Sequence, residues 1–370
     1  MKNFLKISAL RDLTTWDIAQ MSEGECVDFI AVARWGSVDR PTCPICGTID
    51  SHYRRPDGTR WHCKHCDADF SIFKNSVFQD TKLPYKKFLL AIKLFCEAAK
   101  GIAAHQLARN INCQVKSAHT LLGKLREALW RNRQTTKLQG LVHIDGGYFG
   151  GRPRKANKRF KPSPAAIAAR VLAVYGGPAA ARPKPHMSAS NFRRRQNRRV
   201  VIVMREVSEE LGVGGLRTIT AIVPAETDEY VVPLINTFVA HGSCIMTDEA
   251  PAYGRLSAWY DHKTVNHQEM FSTPEGVQEN QAEAFFSRLR RNVLGVTHRV
   301  TPTYLADLAN EMAWRDDVRR CTEAEKIAKL LAAVFSNGLS RWFRGYWQKC
   351  RRGYELTSRH DINQAALKAA

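Results

Sequence analysis

Short runs of apolar residues predict several strands in the middle of the chain. The segment Val142–Gly151 has the pattern of an apolar strand followed by a Gly-Gly turn, and RRVVIVMREV and LRTITAIV predict two more strands. The run Ser243–Met246 has the composition of a buried strand, and HKTVNH is a candidate for a further short one. A helical pattern, TDEYVVPLINTFVAHG, precedes the run Ser243–Met246, so the middle of the chain combines strands with helices.

Helices are predicted on both sides of these strands. Residues 1–36 show it, with Ser22 and Glu25 at the spacing of a capping box, and residues 84–130 contain three helices. TPTYLADLANEMAWRDDVRR and EAEKIAKLLAAVF predict helices near the other end. The segment Glu279–Val293 predicts an amphipathic helix whose apolar residues form one stripe: Ala282, Phe285, Phe286, Leu289 and Val293.

The charge of the chain favours a polyanionic partner, most often nucleic acid. The 370 residues carry a formal net charge of +21, and 44% hydrophobic with 25% charged residues indicates a globular protein. The alternative is a basic protein that binds RNA or a membrane surface without specificity. No apolar run is long enough to span a membrane, and the first residues lack the apolar core of a signal peptide. We therefore expect a cytoplasmic protein with reduced cysteines.

Four of the ten cysteines have the spacing of a zinc site. They form two Cys-x2-Cys pairs separated by 16 residues: Cys43, Cys46, Cys63 and Cys66. Two such pairs supply four thiolates in a tetrahedron, which is the arrangement of a zinc ribbon. His62 and His65 lie beside the second pair as substitute candidates, but four cysteines suffice. Because four thiolates leave no open position, we predict one structural zinc ion.

The region 102–130 predicts a helix-turn-helix. IAAHQLARN has the pattern of a short helix, INC of a turn and QVKSAHTLLGKLREALW of a longer helix. The second helix of such a motif enters a major groove of DNA. Its early polar residues are therefore candidate DNA contacts: Gln114, Lys116, Ser117 and His119. The alternative is an ordinary helical spacer.

Three carboxylates stand on separate predicted elements. Asp145 lies among residues that bury in the first strand, Asp248 ends a later strand, and Glu283 borders the apolar stripe of the amphipathic helix. Carboxylates that converge from separate elements can hold two divalent metal ions, which is the equipment for cutting and joining phosphodiesters. Taken alone, an aspartate at a strand end is often a turn residue. Arg290, seven residues after Glu283, is either a phosphate clamp or a surface neighbour.

Two basic segments are candidates for contact with nucleic acid. The segment Gly150–Val200 contains 14 Lys or Arg and no Asp or Glu, and it encloses a Pro- and Ala-rich insertion, Pro162–Ser190. Such an arm suits phosphate tracking, although a solubilising loop has the same composition. Its candidate contacts are Arg152, Arg154, Lys155, Arg193, Arg194 and Arg195. The tail SRWFRGYWQKCRR interleaves aromatic residues with cations, and it either contacts a nucleic acid or packs internally.

The order of these motifs resembles that of a known family. The chain is similar to the zinc-ribbon DDE transposases of bacterial insertion sequences, the ISXO-like group related to the Merlin superfamily. The resemblance runs in order through CPICG, WHCKHCDADFSIFKNSVFQ, GIAAHQLARN, HIDGGYFGG, MTDEAPAY, ENQAEAFFSRLRR and EMAWRDD, and it covers nearly the whole chain.

The resemblance implies an active site and a fold. The family's three acidic positions correspond to Asp145, Asp248 and Glu283, with 34 residues between the second and the third. They would bind two Mg²⁺ or Mn²⁺ ions within an α/β fold whose RNase H-like core is a mixed sheet flanked by helices. Gly146 departs from the family, which usually has an acidic residue there. Arg290 takes the place of the family's usual Lys or Arg.

The resemblance also implies a function, that of a DNA transposase. It would bind the terminal inverted repeats of an insertion sequence and then cleave and join DNA strands, and paired ends require at least a dimer on double-stranded DNA. Two alternatives are an RNase H-like structure-specific nuclease and a zinc-ribbon DNA-binding regulator with an inactive catalytic domain. The implied parts are an N-terminal helical segment (1–36), the zinc ribbon (37–75), the helix-turn-helix region (76–136), the catalytic domain (137–300, with a basic insertion at about 150–199), and C-terminal helices with the tail (301–370).

Overall fold

The computed structural model describes residues 12–150, 197–210, 212–265 and 280–369. Most of the basic segment between Gly150 and Val200 therefore lies outside the described residues. Within the described ranges, no helix is both long and apolar enough to cross a membrane.

The described residues form α-helices and two separate sheets. The α-helices are α1 (Thr15–Gln20), α2 (Glu23–Trp35), α3 (Tyr85–Glu97), α4 (Ala104–Asn110), α5 (Val115–Asn132), α6 (Asp228–Phe238), α7 (Asn280–Asn292), α8 (Pro302–Asp317), α9 (Glu323–Phe335) and α10 (Ser358–Ala369). The strands are β1 (His52–Arg54), β2 (Arg60–Cys63), β3 (Ala68–Ser71), β4 (Leu141–Gly150), β5 (Arg198–Val207), β6 (Gly215–Val223), β7 (Cys244–Asp248) and β8 (Asp261–Val265).

The N-terminal part combines helices with a small antiparallel sheet of the order β1-β2-β3. The predicted capping box is present: Ser22 accepts from the backbone of Glu25, and the Glu25 carboxylate accepts from the backbone of Ser22. Helices α3, α4 and α5 share a hydrophobic core with this part and with α9. The turn 111–114 joins α4 to α5, and Asn112 in it has a left-handed φ of 49°.

The central sheet has the strand order β6-β5-β4-β7-β8. β4 pairs antiparallel with β5, and β5 with β6, whereas β7 runs parallel to both β4 and β8. The predicted strands are present, but the Gly-Gly turn predicted after Asp145 is wrong, because β4 continues through Gly146 and Gly147, which pair with β5. The mixed sheet flanked by helices, which the family resemblance implied, is confirmed.

Helices cover both faces of this sheet because its central strands are apolar on both sides. Along β5, Val200 and Ile202 face a core that includes α6, while Val201 and Val203 face a second core that includes α7 and α8. The predicted apolar stripe of α7 is buried in that second core at four positions: Ala282, Phe285, Phe286 and Leu289.

Candidate metal centres and nucleic-acid interface

Four cysteine side chains converge beside the small sheet. Cys63 ends β2 and Cys66 lies in the turn to β3, while Cys43 and Cys46 belong to an earlier turn. In that earlier turn Gly47 has a left-handed φ of 77°, and its backbone N–H donates to the oxygen of Cys43 at 2.9 Å. Because each pair sits on a tight turn, the four thiols reach one place.

The positions of these thiols fit a zinc ion. The four sulfur atoms all lie within 4.8 Å of one another, with Sγ–Sγ distances of 3.8 Å for Cys43–Cys66 and 3.7 Å for Cys46–Cys63. Zinc–sulfur bonds of ~2.3 Å in a tetrahedron separate sulfurs by about 3.8 Å. Hydrogen bonding with Thr48 lowers the pKa of the Cys46 thiol, whereas burial and hydrogen bonds with the other three cysteines raise the pKa of Cys66.

The two neighbouring histidines stand outside this group. His62 Nδ1 lies 2.9 Å from an oxygen of Asp69, and His65 is exposed. Among the residues that the structure describes, the four cysteines are the only group of three or more His, Cys, Asp or Glu arranged to hold a metal ion. The zinc site is therefore structural and needs no histidine.

Asp145 and Asp248 lie on adjacent parallel strands, each two residues beyond the part that is paired. The last paired residues of β4 and β7 are His143 and Met246. Both aspartates act on Tyr253, whose pKa is raised first by burial and further by nearby charges that include those of Asp145 and Asp248. The two carboxylates therefore lie in the same region of the sheet.

Local hydrogen bonds orient both carboxylates. An Asp145 oxygen accepts from the backbone N–H of Gly146 at 2.6 Å, and an Asp248 oxygen accepts from that of Ala250 at 3.1 Å. Carboxylate oxygens are the ligands that Mg²⁺ and Mn²⁺ prefer. The chemistry of this pair therefore fits a hard divalent cation.

Helix α7 carries the third predicted carboxylate across the same strand. Glu283 is exposed in the first turn of α7. One turn later Phe286 packs on β4 so closely that a Cβ at Gly147 would be 2.5 Å from its ring. Positions 145 and 147 face the same side of β4 because side chains alternate along a strand. Glu283 thus stands on the helix that covers the Asp145 side of the sheet.

A buried arginine fixes the start of α7. Arg205 of β5 donates from Nη1 to the backbone oxygen of Gln281 at 2.9 Å, and the Gln281 side chain accepts from the backbone N–H of Gly215 at 3.2 Å. Arg205 also forms an ion pair with Asp316 of α8. Gln281 is two residues before Glu283, so these contacts hold the turn of α7 that carries Glu283.

A further carboxylate, which no sequence pattern indicated, lies against β4. Glu226 belongs to the loop between β6 and α6, and a Cβ at Gly146 would be 2.0 Å from its Oε1. The same oxygen accepts a hydrogen bond from the hydroxyl of Tyr253 at 2.9 Å. Burial raises the pKa of Glu226, and the charge of Asp248 raises it further.

The first turn of α5 is exposed. Gln114 precedes the helix as its N-cap residue, and Lys116 and Ser117 follow in the first turn with exposed side chains. Most of the remaining helix is buried, so this turn is the part of α5 that can approach a DNA groove.

The predicted contact His119 is half-buried and packs against aromatic rings of the C-terminal segment. Its ring lies 5.1 Å from the ring of Tyr346 and 5.5 Å from that of Trp347. Burial lowers the pKa of His119, and the nearby charges of Arg126 and Arg351 lower it further. A contact between His119 and DNA stays a prediction.

The other predicted DNA contacts are basic residues. Arg290 is exposed on α7, with its guanidinium 5.6 Å from the centre of the Phe286 ring. The candidates of the basic segment lie outside the described residues: Arg152, Arg154, Lys155, Arg193, Arg194 and Arg195.

Two family models match the chain, and together they span more than half of it. Residues 137–317 match the ISXO2-like transposase domain, and residues 21–69 match the transposase zinc-ribbon domain. The first match contains β4, β7 and α7, which carry the three predicted carboxylates. The second contains the four cysteines. No curated protein and no solved structure shows significant similarity to the chain.

Proposed function

This chain belongs to the zinc-ribbon DDE transposases of the IS1595 family, and we propose that it binds the terminal inverted repeats of an insertion sequence and catalyses metal-dependent DNA cleavage and strand transfer. The observation that supports the proposal is that Asp145 and Asp248 lie on adjacent parallel strands, each two residues beyond the last paired residue. The strand order, with three antiparallel strands followed by two parallel ones, supports an RNase H-like core.

The three proposed catalytic residues would bind the metal ions together. Asp145 and Asp248 would bind two cations, Mg²⁺ or Mn²⁺, and Glu283 would complete one of the two sites. Such cations, when bound, activate a water or a 3′-hydroxyl and stabilise the leaving oxygen. The backbone N–H groups of Gly146 and Ala250 keep the two aspartates oriented before any cation arrives.

Recognition of the transposon ends is assigned to the N-terminal modules. The pair α4–α5 would act as a helix-turn-helix, with Gln114, Lys116 and Ser117 in the major groove and His119 beside them. The zinc ribbon would bind next to it. Arg290 would clamp a phosphate near Glu283. The basic segment would follow the DNA backbone through Arg152, Arg154, Lys155, Arg193, Arg194 and Arg195.

The proposed reaction indicates an oligomeric state and a location in the cell. Two ends must be joined to one target, so we propose at least a dimer on double-stranded DNA, acting in the cytoplasm on nucleoid DNA. The net charge of +21 supports binding to such a polyanion.

Strand transfer tests the proposal directly. The protein is mixed with Mg²⁺, a labelled DNA ending in its own flanking repeat, and a plasmid target. We expect joined product from the wild type and none from Asp248→Asn. The matched control is Asp261→Asn, an exposed aspartate on the neighbouring strand β8, which should join DNA as the wild type does. Cleavage without joining would indicate the nuclease, and binding without either would indicate the regulator.

A further inference from the structure

The C-terminal basic segment 336–354 is anchored on α5 by a buried carboxylate. Glu127 has no exposed surface, and it accepts hydrogen bonds from the Ser340 hydroxyl and the Arg341 backbone, both at 2.6 Å, and from the Trp342 backbone at 3.3 Å. Hydrogen bonds to a charged acceptor are among the stronger ones in proteins. The segment is therefore held in one position along the helix.

A glycine inside α5 completes this anchor. A Cβ at Gly123 would be 2.1 Å from the ring of Phe343, so a larger residue would push the segment away from the helix. Glycine inside a helix costs about 1 kcal/mol relative to alanine. Glycine at position 123 leaves the space in which the ring of Phe343 packs against the helix.

Trp347 is one of two aromatic residues of the segment that remain at the surface. It keeps 42% of its surface exposed and Tyr354 keeps 51%, whereas Trp342, Phe343 and Tyr346 are buried. Its indole N–H donates to the backbone oxygen of Lys116 at 3.2 Å and to the Thr120 hydroxyl at 2.9 Å. Both acceptors belong to the first turns of α5. The ring therefore presents an apolar face to solvent, and its only donor is already used.

Cations surround this exposed ring. The Lys116 ammonium lies 5.6 Å and the Arg351 guanidinium 5.8 Å from the centre of the Trp347 ring. Lys82, Lys116 and Trp347 line a cavity of about 500 Å³ beside the ring, and its wall also includes one carboxylate, Asp80. The segment 336–354 itself contains five Lys or Arg and no Asp or Glu.

We propose that Trp347 and Arg351 extend the DNA-binding surface of α5 and contact the sugar-phosphate backbone of the same duplex. The inference rests on the proposed function, because it takes the first turn of α5 as the part that enters the groove. A duplex backbone alternates apolar deoxyribose with anionic phosphate, which complements an apolar ring flanked by cations. Because the indole N–H cannot reach a base edge, the contact is independent of DNA sequence.

The test measures DNA binding by the full-length, zinc-loaded protein through fluorescence anisotropy. One duplex carries the flanking repeat and a second duplex of equal length is unrelated. Trp347→Ala should weaken binding to both duplexes by about five- to tenfold, as is common for an aromatic anchor. Arg351→Ala should weaken both and reduce the slope of log Kd against log salt concentration by about one.

Two matched controls separate this surface from general effects. Trp259→Ala removes a tryptophan of similar exposure, 44%, from the segment between β7 and β8, and Arg359→Ala removes an exposed arginine of α10. Both should bind as the wild type, and thermal unfolding should show all four variants folded. If Trp347→Ala and Arg351→Ala bind both duplexes like their controls, the proposed surface is wrong.

Failure of the proposed function gives a different result. If the wild type binds both duplexes equally, end recognition is contradicted. Weaker binding of both duplexes by Trp347→Ala and Arg351→Ala would still support the proposed surface in that case. If these variants bind single-stranded RNA more weakly than the wild type but bind both DNA duplexes unchanged, the proposed DNA-binding surface is wrong.

Discussion

The Arg205 guanidinium donates a hydrogen bond of 2.9 Å to the backbone oxygen of Gln281, from a side chain with no exposed surface. Arg205 lies on β5 and Gln281 in the first turn of α7, and Asp316 of α8 pairs with the same guanidinium. Burial lowers the pKa of Arg205 to about 10, which leaves it charged at neutral pH. One buried charge thus joins the sheet to the helix that carries Glu283.

Replacement of this arginine should destabilise the protein strongly. Arg205→Met is expected to lower the free energy of unfolding by about 3 kcal/mol, because it removes one partner of a buried ion pair. Arg217→Met, on the neighbouring strand β6, removes a partly exposed ion pair with Glu206 and should cost about 1 kcal/mol or less. Urea denaturation measures both, and equal losses would contradict the anchoring role.

Loss of zinc should unfold the small sheet. Cys63→Ser removes one of four thiolates, and we expect the purified variant to contain no zinc and to lose the strands β1 to β3. Cys350→Ser, which changes an exposed cysteine distant from the site in sequence, should retain zinc as the wild type does. Metal analysis and circular dichroism check both variants. Full zinc content in Cys63→Ser would disprove the four-cysteine site.

A side chain at position 146 should conflict with Glu226. The backbone of Gly146 has no left-handed φ, so the obstacle to a Cβ is the carboxylate 2.0 Å away. We expect Gly146→Ala to lower the free energy of unfolding by about 1–3 kcal/mol. The double variant Gly146→Ala, Glu226→Ala should regain part of that loss. Gly353→Ala, where a Cβ meets nothing within 4 Å, is the control.

Thermal unfolding reports this conflict. A double variant no more stable than Gly146→Ala would show that Glu226 is not the obstacle. Stability of Gly146→Ala equal to that of Gly353→Ala would show that the loop carrying Glu226 moves away without cost.

The half-buried ring of His119 predicts a dependence of stability on pH. Its pKa is lowered from the ordinary 6.5, chiefly by burial. The unfolded chain therefore binds a proton first as the pH falls below 6.5, and the contribution of His119 to stability is lost in that range. His119→Phe keeps an aromatic ring and should lose less stability than the wild type between pH 7.5 and 5.5.

Melting temperatures at the two pH values measure this difference. His65→Gln, at an exposed histidine, is the control and should follow the wild type. An identical pH response of His119→Phe and the wild type would contradict the buried environment of His119.

Several features followed from the sequence because they depend on residues close together in the chain. Two Cys-x2-Cys pairs define the thiol positions of a zinc site, since each pair sits on one turn. The stripe of α7 followed from helical periodicity, which decides the residues that share a face. The strands were visible as apolar runs, but their order and pairing were not. Asp145, Asp248 and Glu283 came from the family resemblance together with their places on predicted elements.

Contacts between remote residues became visible only in the folded chain. Glu127 and Ser340 are 213 positions apart, and Glu127 has the sequence context of a surface helix residue. Glu226 belongs to a loop, and its place against Gly146 depends on how that loop folds back over the sheet.

The sequence by itself thus determined the zinc ligands, the strands and the apolar faces, because each depends on spacing within one element. The tertiary structure decided that Asp145 and Asp248 lie on neighbouring strands, that Arg205 holds the start of α7, and that the C-terminal segment lies on α5. These relations depend on strand register and on the packing of distant elements. Spacing along the chain does not encode them.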